Sequence, residues 1–122
     1  MGDIINIEFI TENLKSDSFS FIYKTVCPST NSELLEIARQ GANEFTVLCA
    51  DSQTHGTGRH GRKFFSPEGT GIYMSIILKP TLDADDCLLI TPMSAVCVSK
   101  AISKVLDVDA KIKWVNDIYV ND

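Results

Sequence analysis

Between Ser52 and Pro67 the sequence has no acidic residue, yet it carries Arg59, Arg62, Lys63, His55 and His60, on a chain whose formal net charge is −5. Glycine is crowded into the same stretch, with five of the seven glycines between Asp51 and Gly71. Glycines let backbone N–H groups approach an anion closely, and arginines offer several donors in a plane. The chemistry such a stretch offers is the holding of a phosphate or an adenylate. General nucleic-acid binding is disfavoured, because that affinity rests on neutralising many phosphates with Lys and Arg.

The segment Gly56-Thr57-Gly58-Arg59-His60-Gly61 matches G-x-G-x-x-G, a dinucleotide-binding pattern only when it opens a helix. Arg62-Lys63-Phe64-Phe65-Ser66-Pro67 is a poor helix start, with Pro67 falling where the helix should be established. A Walker-type phosphate loop is excluded too, since Gly61 is followed by Arg62-Lys63 and not by Lys and a hydroxyl residue. What remains is a glycine-rich, arginine-bearing loop between two strands. The ordinary alternative is an exposed loop whose charges only solvate it. RNA binding through Arg59-His60-Gly61-Arg62-Lys63 is weaker, because no aromatic stacking platform accompanies it.

The elements that must position this loop are legible. Phe19-Ser20-Phe21-Ile22-Tyr23 has strand composition. Thr30-Asn31-Ser32-Glu33 fits a capping box with Thr30 as N-cap, worth about 1 kcal/mol, and Leu34, Leu35, Ile37 and Ala38 supply the helical face before Gly41 stops it. Thr46-Val47-Leu48-Cys49-Ala50 reads as a strand, followed by a long polar stretch from Asp51 to Gly71. Loops beyond about 12–15 residues inside a domain are usually functional or disordered. Ile72–Leu78 then predicts a buried strand ended by Pro80. Thr91 as N-cap with Pro92 at the first position predicts a helix to Leu106, broad enough in its apolar faces (Met93, Val96, Cys97, Ala101 and Val105 on one side) to be largely buried. Lys111–Val115 and Ile118–Val120 predict a hairpin turning at Asn116-Asp117.

At 122 residues the chain is one domain at most, since domains run to about 100–200 residues. No apolar run is expected to reach the roughly 18–20 residues of a membrane span, and the N-terminus lacks a basic secretory start. Cys27, Cys49, Cys87 and Cys97 are widely spaced and predict reduced core thiols, not a zinc ribbon or a disulfide scaffold. A cytoplasmic protein is expected, with no membrane and no nucleic-acid partner.

The ordered set Ser29-Thr30-Asn31, Gln53-x-x-Gly56-x-Gly58-Arg59-x-Gly61-Arg62, Ser66-Pro67 and Lys113-Trp114-x-Asn116-Asp117 resembles the biotin protein ligases in content and order, from about Tyr23 onward. The resemblance implies an α+β fold, a mixed β-sheet with packed helices like that of class II aminoacyl-tRNA synthetase catalytic domains. It implies ATP-dependent formation of biotinyl-5'-AMP and transfer of biotin to a lysine of a biotin carboxyl carrier protein, with Mg²⁺ as the metal. By position, Ser29, Thr30, Asn31, Gln53, Gly56, Thr57, Gly58 and Arg59 fall to biotin. Arg59, Arg62, Phe64, Lys113, Asn116 and Asp117 fall to the nucleotide. Arg59 and Asp117 are the residues implied in catalysis, Asp117 also as a metal contact or an orienter of lysine. Plain helix capping and a plain hairpin turn are the competing roles for the first and last groups. A homodimer is left open, and a non-catalytic nucleotide- or anion-binding module is the alternative to the ligase.

Thr57 stands where the family often has arginine, Phe64 where it usually has tryptophan, and Val115 where proline is typical. Phe64 offers less stacking surface to an adenine or biotin ring. The family's catalytic lysine is expected a few residues past Asp122, so residues 1–122 are expected to be an N-terminal, truncated portion of the catalytic domain. Too few residues precede Ser29 for a DNA-binding winged helix, and a ligase-only type is expected.

Overall fold

A computed structural model describes residues 5–121, and the chain divides into two compact units after Lys79. In the first unit, helix α1 (Ile7–Asn13) is capped by Asn6, whose side chain accepts from the Phe9 amide. Strand β1 (Ser20–Cys27), helix α2 (Thr30–Arg39), strand β2 (Thr46–Gln53) and strand β3 (Tyr73–Ile76) follow. The sheet order is β1-β2-β3, with β1 parallel and β3 antiparallel to β2. The mixed sheet expected from the sequence is therefore present.

A parallel pair needs a crossover, and α2 supplies it. Leu34 of α2 packs with Cys27, Leu48, Ala50 and Ile77, flanked by Ile22, Ile37, Ala38 and Ala42. Leu48 and Ala50 are wholly buried on the central strand. Burying one leucine contributes about 1.5–3 kcal/mol. At its far end α2 stops as the sequence predicts: Gly41 has φ +98°, a conformation costly for a side chain.

Two boundaries at α2 and β3 differ from expectation. The N-cap is Ser29, not Thr30: Ser29 Oγ accepts from the Ser32 amide at 3.3 Å. Glu33 then lies one place too far along for a capping box and instead ion-pairs with Lys24 of β1. β3 is shorter than Ile72–Leu78, and of that stretch only Tyr73 and Ile77 are buried while Ile72, Met74 and Ile76 are exposed. Helix α1 was not anticipated, since it buries no residue and so shows no core-facing periodicity.

The second unit contains α3 (Ala84–Cys87), α4 (Ile90–Leu106), β4 (Ala110–Lys113) and β5 (Asp117–Val120). The start of α4 corrects the sequence reading. Leu89, not Thr91, is the cap, and it makes no side-chain cap bond. Pro92 thus sits inside the first turn, where its missing N–H costs nothing. Only Ala95 and Ser99 of α4 are buried, against the broad burial expected. A two-stranded hairpin is the partner of α4 within this unit, and it covers a narrow stripe. The stripe is polar at its centre: Ser99 Oγ donates to the Ala110 carbonyl at 3.1 Å, and Ser103 Oγ accepts from the Ala110 amide at 3.1 Å. The helical stretch Ala84–Leu106, 23 residues, is long and apolar enough to cross a membrane by length and composition, where the sequence reading expected no such run.

The hairpin turn is also wider than expected. Lys113 pairs with Asp117, so Trp114, Val115 and Asn116 form the turn and Asp117 belongs to β5. All four cysteines are free, but only Cys27 and Cys49 are buried, Cys87 is half-buried and Cys97 is exposed. Burial pushes both the Cys27 and the Cys49 thiol up. Because the thiolate is the nucleophile, a maleimide at neutral pH is expected to label Cys97 first and Cys27 and Cys49 only on unfolding. Mass mapping of labelled peptides checks this, and early labelling of Cys49 would contradict the fold of the central strand.

Candidate functional site

The parallel register places the site. Cys27 lies beside Gln53 at the carboxyl ends of β1 and β2, and the ladder continues past them, with Thr54 N donating to Cys27 O at 3.0 Å and His55 N to Pro28 O at 2.7 Å. The N-terminus of α2 and the start of the glycine-rich loop therefore emerge side by side. Carboxyl ends of strands are where open α/β sheets place ligands.

Gln53 connects these parts. Its Oε1 accepts from the Thr30 amide at 2.8 Å and from Thr30 Oγ1 at 3.2 Å, and its Nε2 donates to Ser66 Oγ at 2.9 Å. Thr30 Oγ1 also meets Ser75 Oγ at 2.9 Å. With its one hydrogen turned to Gln53, Thr30 must accept there, so Ser75 donates. Ser66 Oγ in turn donates to the Phe64 carbonyl at 3.0 Å. The loop's return is tied by backbone as well, with Gln53 N to Ser66 O at 3.0 Å and Phe64 N to Gly56 O at 2.8 Å.

The loop is thus folded, not structureless. Thr57 and Lys63 form an isolated antiparallel bridge, and Gly58 N donates to Arg62 O at 2.7 Å. Arg59–Gly61 is a single 3₁₀ turn, with His60 at φ +58° and Gly61 at φ +73°. No α-helix follows the G-x-G-x-x-G pattern, which agrees with rejecting a dinucleotide fold. A cleft of about 520 Å³ lies over this base, lined among others by Gln53, Gly56, Thr57, Arg62, Phe64 and Ser66.

Not every residue assigned by position lines this cleft. Ser29 is buried as the cap of α2, and Thr30 is buried behind Gln53. Asn31 faces a separate apolar groove with Leu34, Leu35 and Leu78. Gly58 and Arg59 do not line the cleft, and Arg59 is exposed on the 3₁₀ turn. Phe64 is 55% exposed, an open aromatic face at the cleft. In the second unit Lys113 and Asp117 face each other across β4 and β5, and both, like Asn116 in the turn, are exposed. Asp117 belongs to no cluster of three or more His, Cys, Asp or Glu among the described residues. A single carboxylate is still compatible with Mg²⁺, which takes one or two carboxylates and completes its shell with water and substrate phosphates.

Ser75 was missed by sequence reasoning, and Ser66 was noticed only as part of a pattern. Ser75 had a signal, a hydroxyl in the middle of the apolar run Tyr73–Leu78. Beside the site, Tyr23 donates to the Asp51 carboxylate. That hydrogen bond, with some burial and the negative charge of Asp51, holds the Tyr23 phenol above its ordinary range.

The family is now decided by comparison. Residues 23–122 match the biotin/lipoate A/B protein ligase family. The chain belongs to that family. It is 40% identical over 100 residues to the bifunctional ligase/repressor BirA of Bacillus spizizenii, an alignment covering 82% of this chain and 31% of that protein. It is 28% identical over 120 residues to BirA of Escherichia coli, covering 98% of this chain and 36% of that one. Among solved structures, the biotin protein ligase from Aquifex aeolicus in complex with biotin and ATP superimposes with a TM-score of 0.69 at 34% identity, covering 81% of this chain and 40% of that chain. The chain spans about a third of the length of the curated relatives it matches.

Two outcomes follow from the site of this family member. Gly56→Ala would set a Cβ 2.5 Å from the Phe64 carbonyl oxygen and 2.6 Å from Ser66 Oγ, so a loss of about 1–3 kcal/mol is expected, read by denaturant unfolding. A neutral result would mean that the loop base is looser than its hydrogen bonds imply. Tyr23→Phe should remove stabilisation that is fully present below pH 10. A raised folded pKa favours the neutral phenol, so that stabilisation disappears as pH rises through the folded value. Melting curves of parent and variant should therefore differ at pH 7–9 and converge at strongly alkaline pH.

Proposed function

We propose that this protein acts as a biotin–protein ligase, forming biotinyl-5'-AMP from biotin and ATP and passing the biotinyl group to a lysine of a biotin carboxyl carrier protein. The observation that carries the reading is the cleft at the end of β2, where Gln53 and the cationic loop bearing Arg62 and Lys63 meet. It is supported by likeness to a solved relative that holds biotin and ATP.

A biotin carboxylate oxygen attacks the α-phosphorus of ATP, a P–O bond forms, and pyrophosphate leaves. The carrier amine then attacks the acyl carbon of the mixed anhydride, loses a proton, and AMP departs as the amide forms. Both first-step reactants are anions, so the protein's contribution is positioning and charge neutralisation. The 16 acidic residues against 11 Lys and Arg make the acid-free loop the natural place for it. Gln53 presents hydrogen-bonding groups for the polar ring of biotin and Thr30 holds it from behind, Gly56 keeps the cleft floor clear, and Thr57 and Phe64 border it. Ser29 holds the helix start that aims Thr30. Gly58 acts through its backbone, whose N–H holds the Arg62 carbonyl.

To Arg59 and Arg62 we assign the phosphate and the developing charge. For Lys113, Asn116 and Asp117 we propose nucleotide phosphate contacts, with Asp117 offering its carboxylate to Mg²⁺, which when bound would screen phosphate charge. Four free thiols are at home in a reducing cytoplasm, where we place the reaction.

Incubation of the protein with biotin and MgATP should release pyrophosphate, and lipoate should not replace biotin. Ligand binding without pyrophosphate release would leave only a binding module, and lipoate-dependent release would move the protein to the other branch of its family. Arg59→Ala should weaken retention of biotinyl-adenylate, read as leakage into solution, more than it weakens biotin binding, and equal retention would remove Arg59 from the phosphate role. Asp117→Asn should fold normally while slowing adenylate formation at limiting Mg²⁺. An unchanged rate would return Asp117 to the hairpin alone.

A further inference from the structure

Ser66 is 2% exposed, and its hydroxyl both accepts and donates. It accepts from Gln53 Nε2 at 2.9 Å and donates to the Phe64 carbonyl at 3.0 Å. The direction of that chain is forced. Thr30 presents a backbone N–H, which can only donate, so the Gln53 amide must turn its oxygen to α2 and its nitrogen to the loop. A flipped amide would set donor against donor. The Thr30 amide therefore selects the orientation of Gln53, and the Ser66 hydroxyl, accepting from the amide nitrogen so presented, ties it to the loop and holds the Phe64 carbonyl above Gly56. Gly56 closes the arrangement, since a Cβ there would meet Phe64 O, Ser66 Oγ and Gln53 Nε2 at 2.5, 2.6 and 3.0 Å.

We infer that Ser66 is a positioning residue: it locks the Gln53 amide and the returning limb of the glycine-rich loop into one conformation, and so sets the cleft's hydrogen-bonding face for biotin. The inference rests on the proposed biotin site for its ligand and on the loop geometry alone for its lock. Ser66 does not touch the reacting atoms and acts through Gln53. Without the hydroxyl, Gln53 Nε2 and Phe64 O both lose a partner, the amide is held by Thr30 alone, and the loop limb from Arg62 to Phe65 loosens.

Ser66→Ala tests the lock with two readouts on the whole protein. In limited trypsin digestion, cleavage after the exposed Arg62 and Lys63 should accelerate about tenfold, the scale of one or two lost hydrogen bonds, while cleavage at lysines and arginines outside the loop accelerates less. Cleavage at the parental rate, or equal acceleration at every lysine and arginine of the chain, would overturn the lock. In biotin titration, Ser66→Ala should weaken binding about tenfold, and adding it to Gln53→Ala should weaken binding no further, because the two residues act as one unit. Additive losses would overturn action through Gln53. A parent protein that binds no biotin would defeat the proposed function instead, and the digestion result would then decide the lock by itself.

Discussion

The amide of Gln53 is the contact on which the first unit's functional end depends. One side chain at the last position of β2 reaches the first residue of α2, through Thr30 the middle of β3, and through Ser66 the far limb of the loop. Each such bond contributes only about 0.5–1.5 kcal/mol net, but leaving one of its partly buried groups unpaired costs about 1–3 kcal/mol. The network is therefore close to all-or-none. Consistent with that, no buried side-chain nitrogen or oxygen among the described residues lacks a partner.

A loop held this way is rigid at its base and open at its tip. Near Gln53 the chain is zipped by backbone and hydroxyl bonds, while Arg59 to Phe65 project as an exposed cationic limb. That division suits a ligand with a neutral polar head and an anionic end. The head needs fixed hydrogen-bonding geometry, because a misplaced donor loses its bond steeply with angle and distance. The anionic end needs positive potential, which tolerates movement. On an acidic protein the cationic limb also stands out as a local field that draws anions in.

In the second unit the same economy appears on a smaller scale. Ser99 and Ser103, one helical turn apart, take the two backbone polar groups of Ala110 and so fix where β4 begins on α4. The turn of Trp114, Val115 and Asn116 sets the register of the hairpin, with Asp117 opposite Lys113, and the anchored β4 sets where that hairpin lies on α4. Two serines in an apolar helix thus determine where the hairpin presents its polar residues.

By itself the sequence determined the strands around Phe21 and Leu48, the helix stopped by Gly41, the hairpin near Asn116, the acid-free loop, and the ordered motifs that mark the family. These are local signals: composition, periodicity, turn chemistry and spacing are all written within a few residues. What the tertiary structure alone decided depends on partners distant in the chain. Ser29 rather than Thr30 caps α2 because Thr30 is drawn to Gln53, 23 residues away. Asn31, inside the same tripeptide motif, turns to another groove because helical geometry rotates successive residues by about 100°. Ser75 and Ser66 enter the site only because antiparallel pairing brings β3 and the loop limb back beside β2. The exposure of α4 was illegible for a related reason. An apolar periodicity states which face wants burial, and only the folded chain shows how much surface is there to cover it.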